Sequence, residues 1–202
     1  MGVVLTPIFF MDKNFWNSKY INGTTGWDIG YVSTPLKEYF DQLDNKGYKI
    51  LIPGAGNGYE ASYLLRCGFK NIHILDISEI ATKNFIKRNP DFPVKNIHTL
   101  NFFDFKGEYD LIIEQTFFCA LNPDLRWKYV EKMFQLLKPG GKLVGLLFDD
   151  ELNSDHPPFG GSKNEYEELF KNKFSFKVFS ECFNSIPPRQ GRELFINLVK
   201  VK

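Results

Sequence analysis

The stretch from Tyr48 to Leu65 reads YKILIPGAGNGYEASYLL. An apolar run from Lys49 to Pro53 is followed by Gly54, Gly56 and Gly58, and then by apolar residues at helical spacing. This order predicts a buried strand, a tight turn and a helix. In an open α/β sheet, ligands bind beyond the carboxyl ends of the strands, at the switch point beside the first strand. Without β-carbons, the glycine backbone can approach a ligand closely, and a helix starting near Tyr59 points free N–H groups at it. A plain strand-to-helix turn is the alternative use of the same glycines.

Downstream of this turn, apolar runs alternate with helical stretches. Strands are expected at Ile72 to Ile77, Asn96 to Leu100, Tyr109 to Glu114, Lys142 to Phe148, Phe174 to Ser180 and Glu193 to Val199. Helices are expected near Tyr59 to Cys67, Glu79 to Arg88, Leu125 to Leu137 and Lys163 to Phe170. Such alternation predicts a mostly parallel, seven-stranded, Rossmann-like sheet with helices on both faces. The connection ECFNSIPPRQGRE before the last strand is too short for a crossover helix, so the final two strands should form an antiparallel hairpin that ends the sheet. Residues 1–45 carry Trp16, Tyr20 and Trp27 and a helical stretch from Pro35 to Leu43. They read as a helical cover over residues 46–202 within one domain.

Composition excludes several classes of partner. Lys and Arg total 25 against 24 Asp and Glu, so no net field favours nucleic acid or an anionic membrane. No apolar stretch is long enough to span a bilayer, and MGVVLTPIFFMDKNF lacks a basic leader region. Gly2 with Thr6 fits the loose myristoylation pattern, without a polybasic second anchor. Three cysteines, Cys67, Cys119 and Cys182, in apolar surroundings indicate reduced thiols and a cytoplasmic setting. His73 and His98 fall inside strand patterns without metal-ligand spacing, so no metal is expected.

The glycine spacing narrows the ligand. The dinucleotide fingerprint needs its third glycine at position 59, which is Tyr here, and no Lys-Ser or Lys-Thr pair follows to make a P-loop. A nucleoside ligand without a pyrophosphate remains. Asp76, at the end of the second strand, can accept from both ribose hydroxyls, or can serve as an ordinary helix cap beside Ser78. In LNFFDF, Asn101 can pair with an adenine edge and Phe102 can flank the base, although such an Asn also suits a turn.

Taken together, these features resemble the class I S-adenosylmethionine-dependent methyltransferases. FWNSKYINGTTGWDIGYVSTPL, LIPGAGNGYEASYL, LDIS, EQTFFCALNPDLRWKYVEKMFQLLKPGGKL and SIPPRQGRE are similar to the thiopurine S-methyltransferase superfamily along almost the whole chain. FFCALNP and IPPRQG resemble the branch that methylates halide, thiol or thiocyanate anions. The resemblance implies S-adenosylmethionine as cofactor and S-adenosylhomocysteine as product. It also implies that Trp16, Tyr20 and Trp27 close over the cofactor, Gly54 and Gly56 line it, Asp76 with Ile77 holds the ribose, Asn101 and Phe102 meet the adenine, and Gln115 also approaches the cofactor. The family's usual Asp at the adenine position is Asn101 here, Gln115 replaces the Arg of thiopurine enzymes, and the active-site loop is shortened to SDHPPFGG within residues 153–161.

The implied reaction is a methyl transfer to a small-molecule acceptor. A soft anion needs no general base, but needs desolvation and alignment. Phe117, Phe118, Cys119, Phe159 and Arg189 are the candidate walls and anion ligand, with core packing the alternative use of the two adjacent phenylalanines and of Cys119. His156 reads as a surface loop residue, and Arg126 as a structural ion-pair partner. Rival readings are a thiopurine-like aromatic thiol enzyme and a non-catalytic cofactor-binding module. A macromolecular substrate is disfavoured, because EQTF stands where amide methyltransferases carry an Asn-Pro-Pro-aromatic clamp. A monomer or weak dimer is expected.

Overall fold

The computed structural model describes residues 11–201; the Gly2 and Thr6 pattern lies outside them. Seven strands form one sheet: β1 (Ile50–Pro53), β2 (Ile72–Asp76), β3 (Ile97–Thr99), β4 (Tyr109–Gln115), β5 (Leu137–Phe148), β6 (Phe174–Glu181) and β7 (Glu193–Lys200). Among the described residues, six α-helices accompany them: α1 (Lys13–Ile21), α2 (Thr34–Asp41), α3 (Tyr59–Arg66), α4 (Glu79–Arg88), α5 (Arg126–Leu136) and α6 (Lys163–Phe170). The strand order is β3-β2-β1-β4-β5-β7-β6, with β1 to β5 parallel and β7 antiparallel to both of its neighbours.

Successive residues of a strand face opposite sides of a sheet, and the central strands use both sides. Ile112, Leu143 and Leu147 pack into a core with Tyr129, Met133, Tyr166 and Phe170 from α5 and α6. Leu111, Ile113 and Val144, one residue out of phase, join Leu36, Phe40, Leu64 and Phe85 from α2, α3 and α4. Helices therefore cover both faces.

The hairpin of β6 and β7 ends the sheet as expected, and two details go beyond the sequence reading. Within the hairpin, the antiparallel strand β7 is the inner member, between β5 and β6, and β6 is the edge. Burial explains this order. Leu194, Ile196 and Leu198 of β7 are fully buried, whereas Ser175, Lys177, Ser180 and Glu181 of β6 face solvent, as an edge strand requires. Strand β5 also begins at Leu137 rather than at residue 142, running through Pro139, Gly140 and Gly141 directly from the end of α5. Turn residues there hid the strand from pattern reading.

The chain before β1 is fastened over the carboxyl ends of β1 and β2. Asp12 caps α1 by accepting from the Phe15 N–H. Asn17 Oδ1 accepts from Ser78 Oγ at 2.7 Å, and Lys13 pairs with Glu79 at 2.9 Å, so α1 rests on the start of α4. Among the described residues, no helix is long and apolar enough to cross a membrane, and no cluster of His, Cys, Asp and Glu is built to hold a metal.

Candidate active site

A cavity of about 1020 Å³ opens at the carboxyl ends of the parallel strands, beneath the N-terminal cover. Its walls follow the strand order. Asn101 and Phe102 lie after β3, Asp76 and Ile77 at the end of β2, Gly54 and Gly56 after β1, Gln115 and Phe117 at β4, Phe148 at the end of β5, and Arg189 before β7.

The glycine turn is tight by necessity. Gly54 and Gly56 have φ of +58° and +55°, a region that side-chain-bearing residues avoid. A β-carbon on Gly54 would lie 2.3 Å from Phe117 Cδ2, and one on Gly56 would lie 2.9 Å from the Tyr20 hydroxyl oxygen. The turn is thus in contact with the cover on one side and with the loop after β4 on the other.

Asp76 is 8% exposed, and its carboxylate accepts from the Gly56 N–H at 2.8 Å and from the Ser78 N–H at 2.8 Å. Burial raises its pKa, opposed by these backbone donors. Two oxygens offer about four acceptor positions, so lone pairs remain for a diol facing the cavity. The helix cap belongs to Ser78, whose hydroxyl accepts from the Ala81 N–H. The N-cap bond of α4 is thus made by Ser78 and not by Asp76.

Trp16, Tyr20 and Trp27 all line the cavity. Trp27 meets Trp16 edge-on at 5.6 Å and Tyr20 at 5.9 Å. Burial and the nearby Asp76 carboxylate push the Tyr20 phenol well above its ordinary pKa, so it stays a neutral donor. Asn101 lines the cavity too, but its side-chain oxygen caps a short 3-10 turn through the Phe103 N–H at 2.9 Å. One lone pair and the carboxamide N–H groups remain for a ligand. Gln115 Oε1 accepts from Ser33 Oγ at 3.2 Å.

Of the five acceptor-side candidates, Phe117, Cys119 and Arg189 reach the cavity, whereas Phe118 and Phe159 do not line it. Phe118 points into the core against Tyr129, Tyr166 and Phe170, with the Arg126 guanidinium 5.1 Å over its ring. Phe159 is buried, and its N–H donates to the Cys119 carbonyl at 2.7 Å, tying the loop of residues 153–161 to the loop after β4. Adjacent aromatic residues in a 3-10 turn diverge, which is why only one of the Phe117–Phe118 pair faces the cavity.

Arg189 is 8% exposed and held from two sides: Nη2 donates to the Trp27 carbonyl at 3.0 Å, and Nη1 pairs with Glu193 at 3.4 Å. Cys119 Sγ donates to the Thr116 carbonyl at 3.4 Å, and burial pushes its thiol up to about 12. It is a neutral thiol at physiological pH and not a nucleophile. Arg126 pairs with Glu165 at 2.5 Å and donates to the Gly160 carbonyl at 2.5 Å, a structural role. His156 is exposed on its loop.

Two residues of consequence were missed in the sequence. Glu114, 0% exposed, accepts from the Phe117 N–H at 2.7 Å, the Phe118 N–H at 2.9 Å and the Tyr129 hydroxyl at 2.5 Å. It shapes the loop that carries Phe117 and Cys119, and burial pushes its pKa up to about 7. Thr116, between Glu114 and Phe117, has a φ of 56°, a strained value for a β-branched residue that points to a fixed loop geometry. An acid at the end of a buried strand was the available signal for Glu114. The second missed residue, Glu60, lies in the first turn of α3 and lines the cavity.

The sheet order, the glycine turn and the acid at the end of β2 define the class I methyltransferase architecture. Solved structures agree on the fold. A Burkholderia thailandensis 1,6-didemethyltoxoflavin-N1-methyltransferase, solved with S-adenosylhomocysteine, superposes with a TM-score of 0.77 at 16% identity, over 94% of this chain and 87% of that one. The Synechocystis magnesium protoporphyrin IX methyltransferase gives 0.71 at 13% identity, over 93% and 94%. Residues 11–197 match the thiopurine S-methyltransferase (TPMT) family. Among curated relatives, a probable thiol methyltransferase 2 of Arabidopsis thaliana is 30% identical over 88% of this chain and 81% of its own. Thiocyanate methyltransferase 1 of Brassica oleracea is 27% identical over 91% and 83%. A thiopurine S-methyltransferase of Vibrio parahaemolyticus is 28% identical over 79% and 82%.

The chain belongs to the thiopurine S-methyltransferase family. It is an S-adenosylmethionine-dependent methyltransferase acting on a small molecule.

Proposed function

We propose that the acceptor is a small soft nucleophile, a halide, hydrosulfide, thiocyanate or thiol, and that the cofactor lies along the wall from Asn101 to Gln115. In this reading Asp76 accepts from the ribose hydroxyls, Phe102 flanks the base beside Asn101 and Ile77, and Trp16, Tyr20 and Trp27 exclude water from above. Gly54 and Gly56 allow the backbone to approach.

The observation that carries the acceptor class is the wall beyond Gln115. Phe117, Cys119, Phe148 and Pro158 are apolar, and Arg189 is a buried cation beside them. When bound, S-adenosylmethionine supplies a methyl group on a cationic sulfonium sulfur. A soft anion arrives already nucleophilic, so the residues beyond Gln115 have to strip its water, hold it in line and keep bulk water out. Arg189 is suited to holding such an anion. Its contacts with a carbonyl and a carboxylate leave further N–H donors, and guanidinium is weakly hydrated. Phe117 and Cys119 supply a polarisable wall set by Glu114. The relatives named for thiol and thiocyanate methylation support this class.

A turnover assay with labelled S-adenosylmethionine against iodide, thiocyanate, hydrosulfide and an aromatic thiol tests it, with volatile and extractable products trapped separately. Methylated iodide, thiocyanate or sulfide is expected. Product from aromatic thiols alone would make this a thiopurine-like enzyme, the second reading that the Vibrio relative supports. Cofactor binding with no product from any acceptor would leave a binding module.

A further inference from the structure

Glu60 is 6% exposed, lines the cavity at the first turn of α3, and has few partners. Its Oε1 accepts from the Ser33 N–H at a long 3.5 Å, and its carboxylate accepts from its own backbone N–H. No Lys, Arg or His among the described residues comes within 4 Å of it; the nearby Arg189 guanidinium pairs instead with Glu193. A buried carboxylate without a cation is costly, and burial raises the Glu60 pKa accordingly. Asp28, the neighbouring carboxylate in the same wall, is better supplied with donors: it accepts from the Gly30 N–H at 2.8 Å, from the Tyr59 hydroxyl at 3.3 Å and from the Asn57 carboxamide.

The position of Glu60 points to the kind of cation it would take. With the base placed at the end of β3 and the ribose at the end of β2, as proposed above, the remaining arm of the cofactor would extend over β1 towards β4. Gly54 and Gly56 line that part of the cavity, as do Glu60 and Gln115, which share Ser33 as a hydrogen-bond neighbour. The arm ends in an amino-acid group, whose ammonium carries three donors and one positive charge.

We propose that Glu60 is the counter-ion of the cofactor's α-ammonium group, a role that rests on the cofactor placement proposed above. A charged pair closed off from water is stronger than the same pair in solvent. Binding the amino-acid end would therefore set a positive charge against a carboxylate that otherwise has only the more distant Arg189 guanidinium to offset it. It would also separate full-length cofactor from truncated thioadenosines.

Isothermal titration with three ligands tests this: S-adenosylhomocysteine, its analogue lacking the amino group, and 5′-methylthioadenosine. Wild type should prefer S-adenosylhomocysteine over the deamino analogue by roughly 30-fold or more, the effect of removing one partner of a buried charge pair. In Glu60→Gln that preference should shrink to within about threefold, while 5′-methylthioadenosine binds as it does to wild type and so reports an intact site. A Glu60→Gln protein that keeps the preference overturns the proposal. So does a wild type without the preference, which decides the matter even where the variant fails to fold. If wild type binds none of the three ligands, the cofactor placement falls and this inference falls with it. A preference that survives in Glu60→Gln while 5′-methylthioadenosine still binds removes Glu60 alone.

Discussion

The two halves of the cavity are built differently. Beside β1, β2 and β3, the polar groups are set within the strand-end turns: Asp76 by the N–H of Ser78 two residues on and by that of Gly56 in the adjacent turn, 20 residues back, and Asn101 by the N–H of Phe103. From the end of β4 onward, they are set by distant segments: Arg189 by the Trp27 carbonyl 162 residues away, Gln115 by the Ser33 hydroxyl 82 residues away, and the Cys119 carbonyl by Phe159. The first half is a property of strand ends and turns. The second exists only once the cover, the loop of residues 153–161 and the final hairpin have come together. Substitutions in the first half should therefore act on cofactor affinity or on folding outright, and those in the second on acceptor handling.

The largest effect is expected at Asp76. Asp76→Ala removes the proposed acceptor for the ribose and the support of the Gly56 N–H at once, and cofactor affinity should fall by about 100-fold or more. Titration calorimetry beside a thermal melt reads this, and normal affinity in a folded variant would refute the ribose assignment. Gly54→Ala comes next. It forces a side chain into φ +58° and against Phe117 at 2.3 Å, so it should lower stability by about 3 kcal/mol by chemical denaturation. A variant with wild-type stability would mean that the contact between the two halves is looser than the structure shows.

Glu114 gives a pH signature to the second half. Its folded pKa is raised to about 7 from an ordinary value of 4.5, so the folded state binds more protons than the unfolded state between those values. Its contribution to stability is then fully present below about pH 4.5 and is lost as pH rises through 7, by up to about 3 kcal/mol. Glu114→Gln keeps an acceptor for the Phe117 and Phe118 N–H groups and removes the titration. Denaturation midpoints at pH 5 and 7.5 should separate less in the variant than in wild type. An equal separation would show that Glu114 is not the group responsible.

Much of this architecture was legible in the sequence, and the reasons differ by region. Strand ends followed by glycine or an acid are local events, so β1, β2, α3, α4 and the Gly54, Gly56 and Asp76 positions could be read directly. The position of β7 inside the sheet was not legible, since strand order depends on which of two apolar strands has the fully buried face. Phe118 and Phe159 could not be told from cavity residues, because neighbouring aromatics in a 3-10 turn or an irregular loop carry no periodicity that assigns a face. Glu60 was hidden for another reason: an acid in a helix's first turn is ordinary, and its lack of a cation is visible only in three dimensions.

Smaller effects sharpen the contrast. Arg189→Lys keeps a positive charge beside Glu193 but loses the planar fork, and should raise the acceptor KM about tenfold with cofactor affinity little changed. Loss of cofactor affinity instead would assign Arg189 to the first half through its link to Trp27. The mildest prediction concerns Cys119, whose thiol lies in the proposed acceptor wall and donates to the Thr116 carbonyl. Serine can donate to the same carbonyl but fills less space, so Cys119→Ser should cost about 1 kcal/mol of stability and change turnover by less than about threefold. A thiol held neutral by burial cannot carry a methyl group between cofactor and acceptor, and shape is all that it offers. A hundredfold loss of turnover in a folded Cys119→Ser variant would show that this half of the cavity works through a covalent relay, not through packing and desolvation.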